Sequence, residues 1–233
     1  MKANSINYIA PEIISTADGS KTLWLKELNE TYHSKHGAVQ ESLHVFIENG
    51  LKHCLNTGKR ELKIFELGFG TGLNVFLTLK ECIQNEDIRV EIHSIEKYPV
   101  LPETVAKMEY ELLDSLAPQK DFFRVIIECP WNEVVEVLEN FMLNKMSKDF
   151  FEAEIESDHY DLIYFDAFGA RAQAEMWTEK AFEICARIIK PNGILVTYAS
   201  KGSARRALQK VGFQVEKLPG PPGKREMMRA IFI

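Results

Sequence analysis

The run Lys63-Ile64-Phe65-Glu66-Leu67-Gly68-Phe69-Gly70-Thr71-Gly72-Leu73-Asn74 constrains this chain more than any other stretch. An apolar, β-prone segment runs into three alternate glycines and then into a helical pattern, so a buried strand must turn sharply into a helix. Glycine tolerates the positive φ of such a turn and lets backbone N–H groups approach a ligand at a helix N-terminus. In an α/β sheet this is where a nucleoside-bearing cofactor is cradled, although a tight turn without a ligand would need the same glycines.

Spacing narrows the cofactor. Dinucleotide sites favour GxGxxG, whereas this GxGxG carries Glu66 two residues before Gly68, an arrangement suited to a cationic aminoacyl group. That favours S-adenosylmethionine over NAD. The next β-prone run, Val90 to Ile95, ends on Glu96. An acidic residue about 20 residues beyond the glycine turn is placed to accept the ribose hydroxyls. The candidate cofactor residues are therefore Glu66, Gly68, Gly70, Thr71, Gly72, Asn74, Glu96 and Lys97.

From Leu62 onward, strand and helix patterns alternate, which implies a Rossmann-like α/β fold: a seven-stranded, mostly parallel sheet with helices on both faces. The expected strands are 62–67, 90–96, 123–127, 160–165, 194–198, 213–218 and 227–233. The expected helices begin at Leu73, span about 102–116, 131–145 and 175–189, and end with 203–211. Pro191-Asn192-Gly193 reads as a turn and 148–158 as a surface insertion. Ahead of this lies an extension, residues 1–60, with a hairpin around Asp18-Gly19 and a helix from about Ala38; residues 61–233 form the main domain.

At 233 residues and 45% hydrophobic content, the chain can bury one large core, with no room expected for a second catalytic domain. No apolar run approaches the roughly 18 residues of a membrane span and no signal-peptide layout is present, so a cytoplasmic location without a membrane partner is expected. Cys54, Cys82, Cys129 and Cys185 have no CxxC spacing and read as reduced core thiols. His33 and His36 form an isolated HxxH, so no metal is expected. The net charge of −6 reverses near the C-terminus. There Lys201, Arg205, Arg206, Lys210, Lys217, Lys224, Arg225 and Arg229, opposed only by Glu216 and Glu226, form a candidate basic face for a nucleic acid, with Lys201, Arg205, Arg206, Lys224 and Arg225 as the expected contacts, or an ordinary solvated surface.

Asp166 follows the apolar strand Leu162 to Phe165, which puts its carboxylate at the crevice edge and makes it the catalytic candidate. With Ala167 and Phe168 it forms an acid–small–aromatic triplet resembling the motif of amine-methylating enzymes. A carboxylate beside a primary amine could take or relay its proton and aim the lone pair, while capping the next turn would be a purely structural use.

Over most of its length the chain resembles the S-adenosylmethionine-dependent tRNA 5-aminomethyl-2-thiouridine methyltransferases, found alone or as the N-terminal half of a bifunctional wobble-uridine enzyme. The resemblance rests on Tyr32-His33-Ser34 through Gly37, Glu41, His44 to Ile47, Glu66 to Asn74 and Asp166-Ala167-Phe168. It continues through Glu175-Met176-Trp177, Thr197 to Gly202, Arg205 to Leu208 and Gly223-Lys224-Arg225-Glu226-Met227. It implies a class I methyltransferase fold and methyl transfer to the exocyclic amine of wobble 5-aminomethyl-2-thiouridine, with Asp166 as proton acceptor. Phe168, Met176 and Trp177 would meet the substrate, and the basic tail the anticodon stem-loop of tRNA. The loop Gly169 to Ala174 lacks the prolines and lysine of the family, and Pro130 stands where relatives carry an acid toward the adenine, so Trp131 is expected to stack there instead. FAD is not expected, and a monomer is taken as the default. The competing readings are a methyltransferase for another amine or small metabolite, and a non-catalytic module of the same fold.

Overall fold

The computed structural model describes residues 11–110, 113 and 120–233. An N-terminal three-stranded antiparallel sheet comes first, from β1 (Glu12–Ser15), β2 (Lys21–Leu25) and β3 (Glu30–Thr31). The expected hairpin is its core, and its turn is fixed by Asp18, whose Oδ1 accepts from Thr16 Oγ1, Ser20 Oγ and Ser20 N–H. The helix expected from Ala38 is continuous but changes winding: α1 (Ala38–Ser42), a π-helical stretch Leu43–Leu51, and α2 (Lys52–Asn56). Gly50 lets this rod lie close on the main sheet, where a Cβ would stand 3.1 Å from Val196 and 3.2 Å from the Tyr164 ring.

The main sheet has eight strands in the order β10-β11-β9-β8-β4-β5-β7-β6. Its centre is β4 (Glu61–Leu67), flanked in parallel by β5 (Arg89–Glu96) and β8 (Tyr160–Phe165). Beyond them β7 (Phe141–Ser147) and β9 (Ile189–Thr197) are also parallel. The edges are antiparallel: β6 (Val134–Leu138) on one side, β11 (Glu226–Phe232) and β10 (Phe213–Pro219) on the other. The chain leaves β4 for one side of the sheet and returns through β8 to the other, so the carboxyl ends of β4, β5 and β8 share one crevice.

The helices cover both faces. One core layer joins α3 (Leu73–Gln84), α5 (Lys120–Glu128), the helical rod 38–56 and Leu23 of the N-terminal sheet; the other packs under α6 (Glu179–Ile188) and α7 (Gly202–Lys210). Leu23 and the rod thus bury against the same core as the sheet. Among the described residues no helix is long and apolar enough to cross a membrane.

Several expectations are corrected. Residues 123–127 are not a strand but lie within α5, because Phe123, Ile126 and Ile127 recur at helical spacing and are buried while Val125 faces out. Residues 131–145 are not a helix but mostly the hairpin β6–β7: Phe141, Leu143 and Lys145 alternate inward at period two. This hairpin supplies the third core strand and adds an edge strand, so the sheet has eight strands rather than seven. The helix near Pro102 is short, α4 (Pro102–Val105) followed by a 3-10 turn Ala106–Met108; residues 111, 112 and 114–116 of the expected span lie outside the described residues. The stretch before α6 is a separate 3-10 turn, Ala174–Trp177. Pro191-Asn192-Gly193 forms a bulge within β9, where the pairing with β8 shifts between Tyr160 and Leu162.

Lys145 is 1% exposed. Its ammonium donates to the carbonyls of Ile126 and Ile127, each at 2.9 Å, and lies over the rings of Phe69 and Trp131. It thus satisfies the orphan carbonyls at the end of α5. Burial lowers its pKa.

Candidate active site

At the carboxyl ends of β4, β5 and β8 lies a cleft of about 460 Å³, walled by the glycine turn, Glu96 to Tyr98, Asp166 to Phe168 and the loop Lys148 to Phe151. The N-terminal sheet closes one side through Leu25, Leu28, Tyr32 and His33. All three glycines of the turn have positive φ, at 93°, 54° and 75°. Gly68 is needed for packing too: a Cβ there would stand 2.7 Å from the Asp166 carbonyl. The turn and the Asp166 strand end are thereby pressed together, with Asp166 N–H donating to Leu67 O at 3.0 Å and Gly68 N–H to Ile95 O at 2.9 Å.

Glu96 faces this turn. One carboxylate oxygen accepts from Gly70 N–H at 3.1 Å and the other from Tyr98 N–H at 2.9 Å. A carboxylate has about four acceptor positions, so lone pairs remain for the hydroxyls of a sugar. Burial raises its pKa, against the hydrogen bonds of Tyr98, Gly70 and Lys97. Neighbouring Lys97 lines the cleft but points its ammonium at Asp149, 2.7 Å away.

The Asp166-Ala167-Phe168 triplet is clamped at four of its six polar backbone groups, beginning with Asp166 N–H. Tyr198 OH donates to Ala167 O at 2.8 Å, Gln173 accepts from Phe168 N–H at 2.8 Å, and the Trp177 indole N–H donates to Phe168 O at 2.7 Å. The Phe168 ring stands edge-on to Tyr32, centroids 4.9 Å apart. Met176 lines the cleft; Trp177 packs beneath, between Phe165 and Tyr198. Asp166 itself accepts from Asn74 Nδ2 at 2.9 Å. Desolvation pushes its carboxyl up to about 7, aided by the negative Glu41 and opposed by Asn74 and Lys224.

Other expected cofactor residues lie under the cleft rather than in its lining. Glu66 and Thr71 are fully buried, and Thr71 hydrogen-bonds Tyr110 at 3.0 Å. Gly72 is the left-handed residue before α3, and Asn74 sits in the first turn of that helix. Trp131 packs edge-on to Phe69 with Lys145 over its ring, and is not part of the cleft lining.

The basic tail divides. Lys224 reaches across the site to the Glu41 carboxylate and lies over Tyr198; it is no freely solvated cation. Lys201 and Arg225 line a side chamber of about 290 Å³ together with Gly169, Trp177 and Tyr198. Among the described residues Lys201, Arg205, Arg206 and Arg225 have no ion pair, whereas Lys210, Lys217 and Arg229 are paired with Glu179, Glu226 and Glu216. Tyr32, Glu41, Gln173 and Tyr198 were assigned no role from the sequence. A tyrosine just past a strand that ends at the crevice was the available signal for Tyr198.

The fold also gathers Glu91, His93 and His159, a grouping no sequence spacing disclosed. Lys63 already stands among them, its ammonium 3.1 Å from His159 and 3.5 Å from Glu91. His33, of the HxxH pair, is buried against Thr22, and desolvation lowers its pKa to about 4.

Residues 133–232 match a family model described as S-adenosyl-L-methionine-dependent methyltransferase. The tRNA 5-methylaminomethyl-2-thiouridine biosynthesis bifunctional protein MnmC of Cupriavidus necator is 31% identical over 215 residues, 88% of this chain and 32% of that protein. The Nitrosospira multiformis protein of the same name is 31% identical over 215 residues, 89% of this chain and 35% of its own length. The chain thus spans about a third of the length of the curated relatives it matches. Among solved structures, MnmC2 from Aquifex aeolicus superposes with a TM-score of 0.79 at 30% identity, covering 97% of this chain and 71% of that one. Spermidine synthase from Thermotoga maritima, at 13% identity and a TM-score of 0.57, shares the fold. With the glycine turn, Glu96 and the clamped acid–small–aromatic triplet at one sheet edge, and with this match along nearly its whole length, the chain belongs to the MnmC2 family of S-adenosyl-L-methionine-dependent methyltransferases.

Proposed function

We propose that the protein methylates the exocyclic amine of 5-aminomethyl-2-thiouridine at the wobble position of tRNA, giving the methylaminomethyl form. The observation that carries this reading is Asp166: a carboxylate at the cleft, raised to about 7, beside an aromatic pair made by Phe168 and Tyr32. The names of the MnmC relatives supply the tRNA substrate.

The donor set fits S-adenosylmethionine: a glycine turn pressed on the acidic strand end, and a Glu96 carboxylate with free lone pairs toward a ribose. Gly68, Gly70 and Glu96 would hold it, and it supplies a methyl group on a sulfonium. The remaining work falls to side chains of the chain. A primary amine with a reference pKa near 10.4 is protonated at neutral pH and has no lone pair to offer. Raising Asp166 from 3.8 to about 7 brings its proton affinity closer to the amine by about three pKa units, on the order of 4 kcal/mol. Asp166 accepts the proton and orients the freed lone pair; Phe168 and Tyr32 hold the base and exclude water. Lys201, Arg205, Arg206 and Arg225 meet the phosphates of the anticodon stem-loop. The reading places the protein with tRNA in the cytoplasm, and the methyl transfer itself calls for neither FAD nor a metal.

The test is incubation with S-adenosylmethionine and tRNA carrying 5-aminomethyl-2-thiouridine, followed by nucleoside mass spectrometry. Gain of one methyl on that nucleoside, absent from tRNA lacking the aminomethyl group, supports the reading. Methylation of free small amines in preference to tRNA would overturn it.

A further inference from the structure

Under the glycine turn, two buried polar atoms lack partners. Glu66 is 0% exposed, and Asn74 3%. Glu66 Oε2 accepts the hydroxyl of Ser94, whereas Glu66 Oε1 and Asn74 Oδ1 have no hydrogen-bond partner. The Asn74 amide nitrogen is turned to Asp166, donating at 2.9 Å, and the Asn74 side chain is also within hydrogen-bonding reach of Glu66. Two buried acceptors left without donors are strongly destabilising.

One proton removes both defects. On Glu66 Oε1 it becomes a donor, and Asn74 Oδ1 becomes its acceptor. We propose that Glu66 is a neutral carboxylic acid that fixes the Asn74 amide and through it presents Asp166 as the ionised proton acceptor. Glu66 is then a positioning residue, and the chain of donors runs from Ser94 to Glu66, from Glu66 to Asn74, and from Asn74 to Asp166. The pair of carboxyl groups carries one negative charge, held at the end that faces the cleft. When Asp166 takes a proton from the amine the pair becomes neutral, and the Glu66 proton stays where it is.

The surroundings agree. Burial pushes Glu66 up to about 8; Asp166 just past β8 and Glu96 on β5 raise it further, while the Ser94 hydroxyl, and the Asn74 amide when it turns its N–H to an ionised Glu66, oppose. The neighbour on β8 is Tyr164, paired with Glu66 in register and bonded to Thr78; its phenol is kept neutral by burial. No cation is among the groups that act on Glu66 among the described residues.

The inference rests on the role of Asp166 given above, and its test keeps the two apart. The protein is labelled with carboxyl-13C glutamate and titrated by NMR, without any substrate. One glutamate should change charge near pH 8, far above the rest, and its signal should be missing in Glu66→Gln; a Glu66 carboxyl already ionised at pH 6 overturns the proposal. In methyl transfer, Glu66→Ala should lower kcat about tenfold to a hundredfold. Glu66→Gln should restore most of it, because its amide accepts from Ser94 and donates to Asn74. The alkaline change assigned to Glu66 should vanish in that variant. A Gln variant as impaired as Ala, with S-adenosylmethionine affinity lost, would make Glu66 an ionised cofactor ligand and overturn the proposal. If Glu66→Ala does not fold, the titration of the native protein decides. A native protein that titrates as expected but leaves tRNA unmethylated refutes the substrate and not the protonation state.

Discussion

The Lys224 ammonium closes on the Glu41 carboxylate and lies 3.8 Å from the centre of the Tyr198 ring, within the electrostatic reach of Asp166. The pair joins α1 to the loop before β11 and balances charge at the catalytic candidate. Among the described residues Lys224 is the cation that lowers Asp166, so Lys224→Ala removes it and leaves Glu41, which raises it. The acidic limb of the methyl-transfer pH profile should therefore move to higher pH, with the salt dependence of tRNA binding unchanged. An unmoved pH profile together with a flatter salt slope would make Lys224 a phosphate contact instead.

The cations without ion pairs are expected to carry the tRNA backbone. Charge reversal at Lys201, Arg205 and Arg225 together should raise the KM for tRNA and spare cofactor affinity. Each lost phosphate contact should flatten the log–log salt slope by roughly 0.7–0.9. Binding measured from low to high salt with an unaltered slope would assign this face to solvent.

Glu96→Ala should weaken S-adenosylmethionine binding by roughly 1.5–3 kcal/mol, about 10- to 150-fold, through lost charged hydrogen bonds. Gly70 N–H and Tyr98 N–H lose their acceptor in the same step. Calorimetric titration reads the affinity and circular dichroism the fold; native affinity in a folded variant removes Glu96 from the cofactor site.

Stability should fall as pH rises. Glu66 and Asp166 are raised from 4.5 to about 8 and from 3.8 to about 7, so the folded state binds more protons than the unfolded one in that interval. Their contribution is complete below about pH 4 and disappears as pH passes through the folded values. For Glu66 the whole effect is on the order of 5 kcal/mol. Chemical denaturation at pH 5 and pH 9 should show this decline, and Glu66→Gln should reduce it; equal declines in both proteins would mean that Glu66 titrates normally.

The features legible in the sequence are those written into short segments. Glu66 to Asn74 and Glu96 carry their own turn and strand-end signals, and Asp166 follows an apolar strand. Class and crevice followed from them, and the hairpin from Asp18-Gly19. Phe123 to Ile127 failed because β-prone side chains can still place 123, 126 and 127 on one helical face. Val134 to Lys145 failed because two short alternating runs, read together, mimic helical spacing. The supports of the site were hidden for another reason: Glu41 meets Lys224 across 183 positions of chain, and Tyr198 meets Ala167 across 31. Only the folded chain brings them together, and it turned Lys224, counted with the basic face, into part of the site.

The most direct test of the account is the single-turnover rate of methyl transfer to tRNA bearing 5-aminomethyl-2-thiouridine, for the native protein and Asp166→Asn, between pH 6 and pH 9. Asparagine can orient the amine through its oxygen but cannot take up the proton. The native rate should rise as pH passes about 7, where Asp166 ionises, and the variant should be slower by about 10²–10⁴-fold at neutral pH. The deficit should narrow at high pH as free amine accumulates, with S-adenosylmethionine affinity retained. A variant that turns over at the native rate at pH 7 would contradict the account.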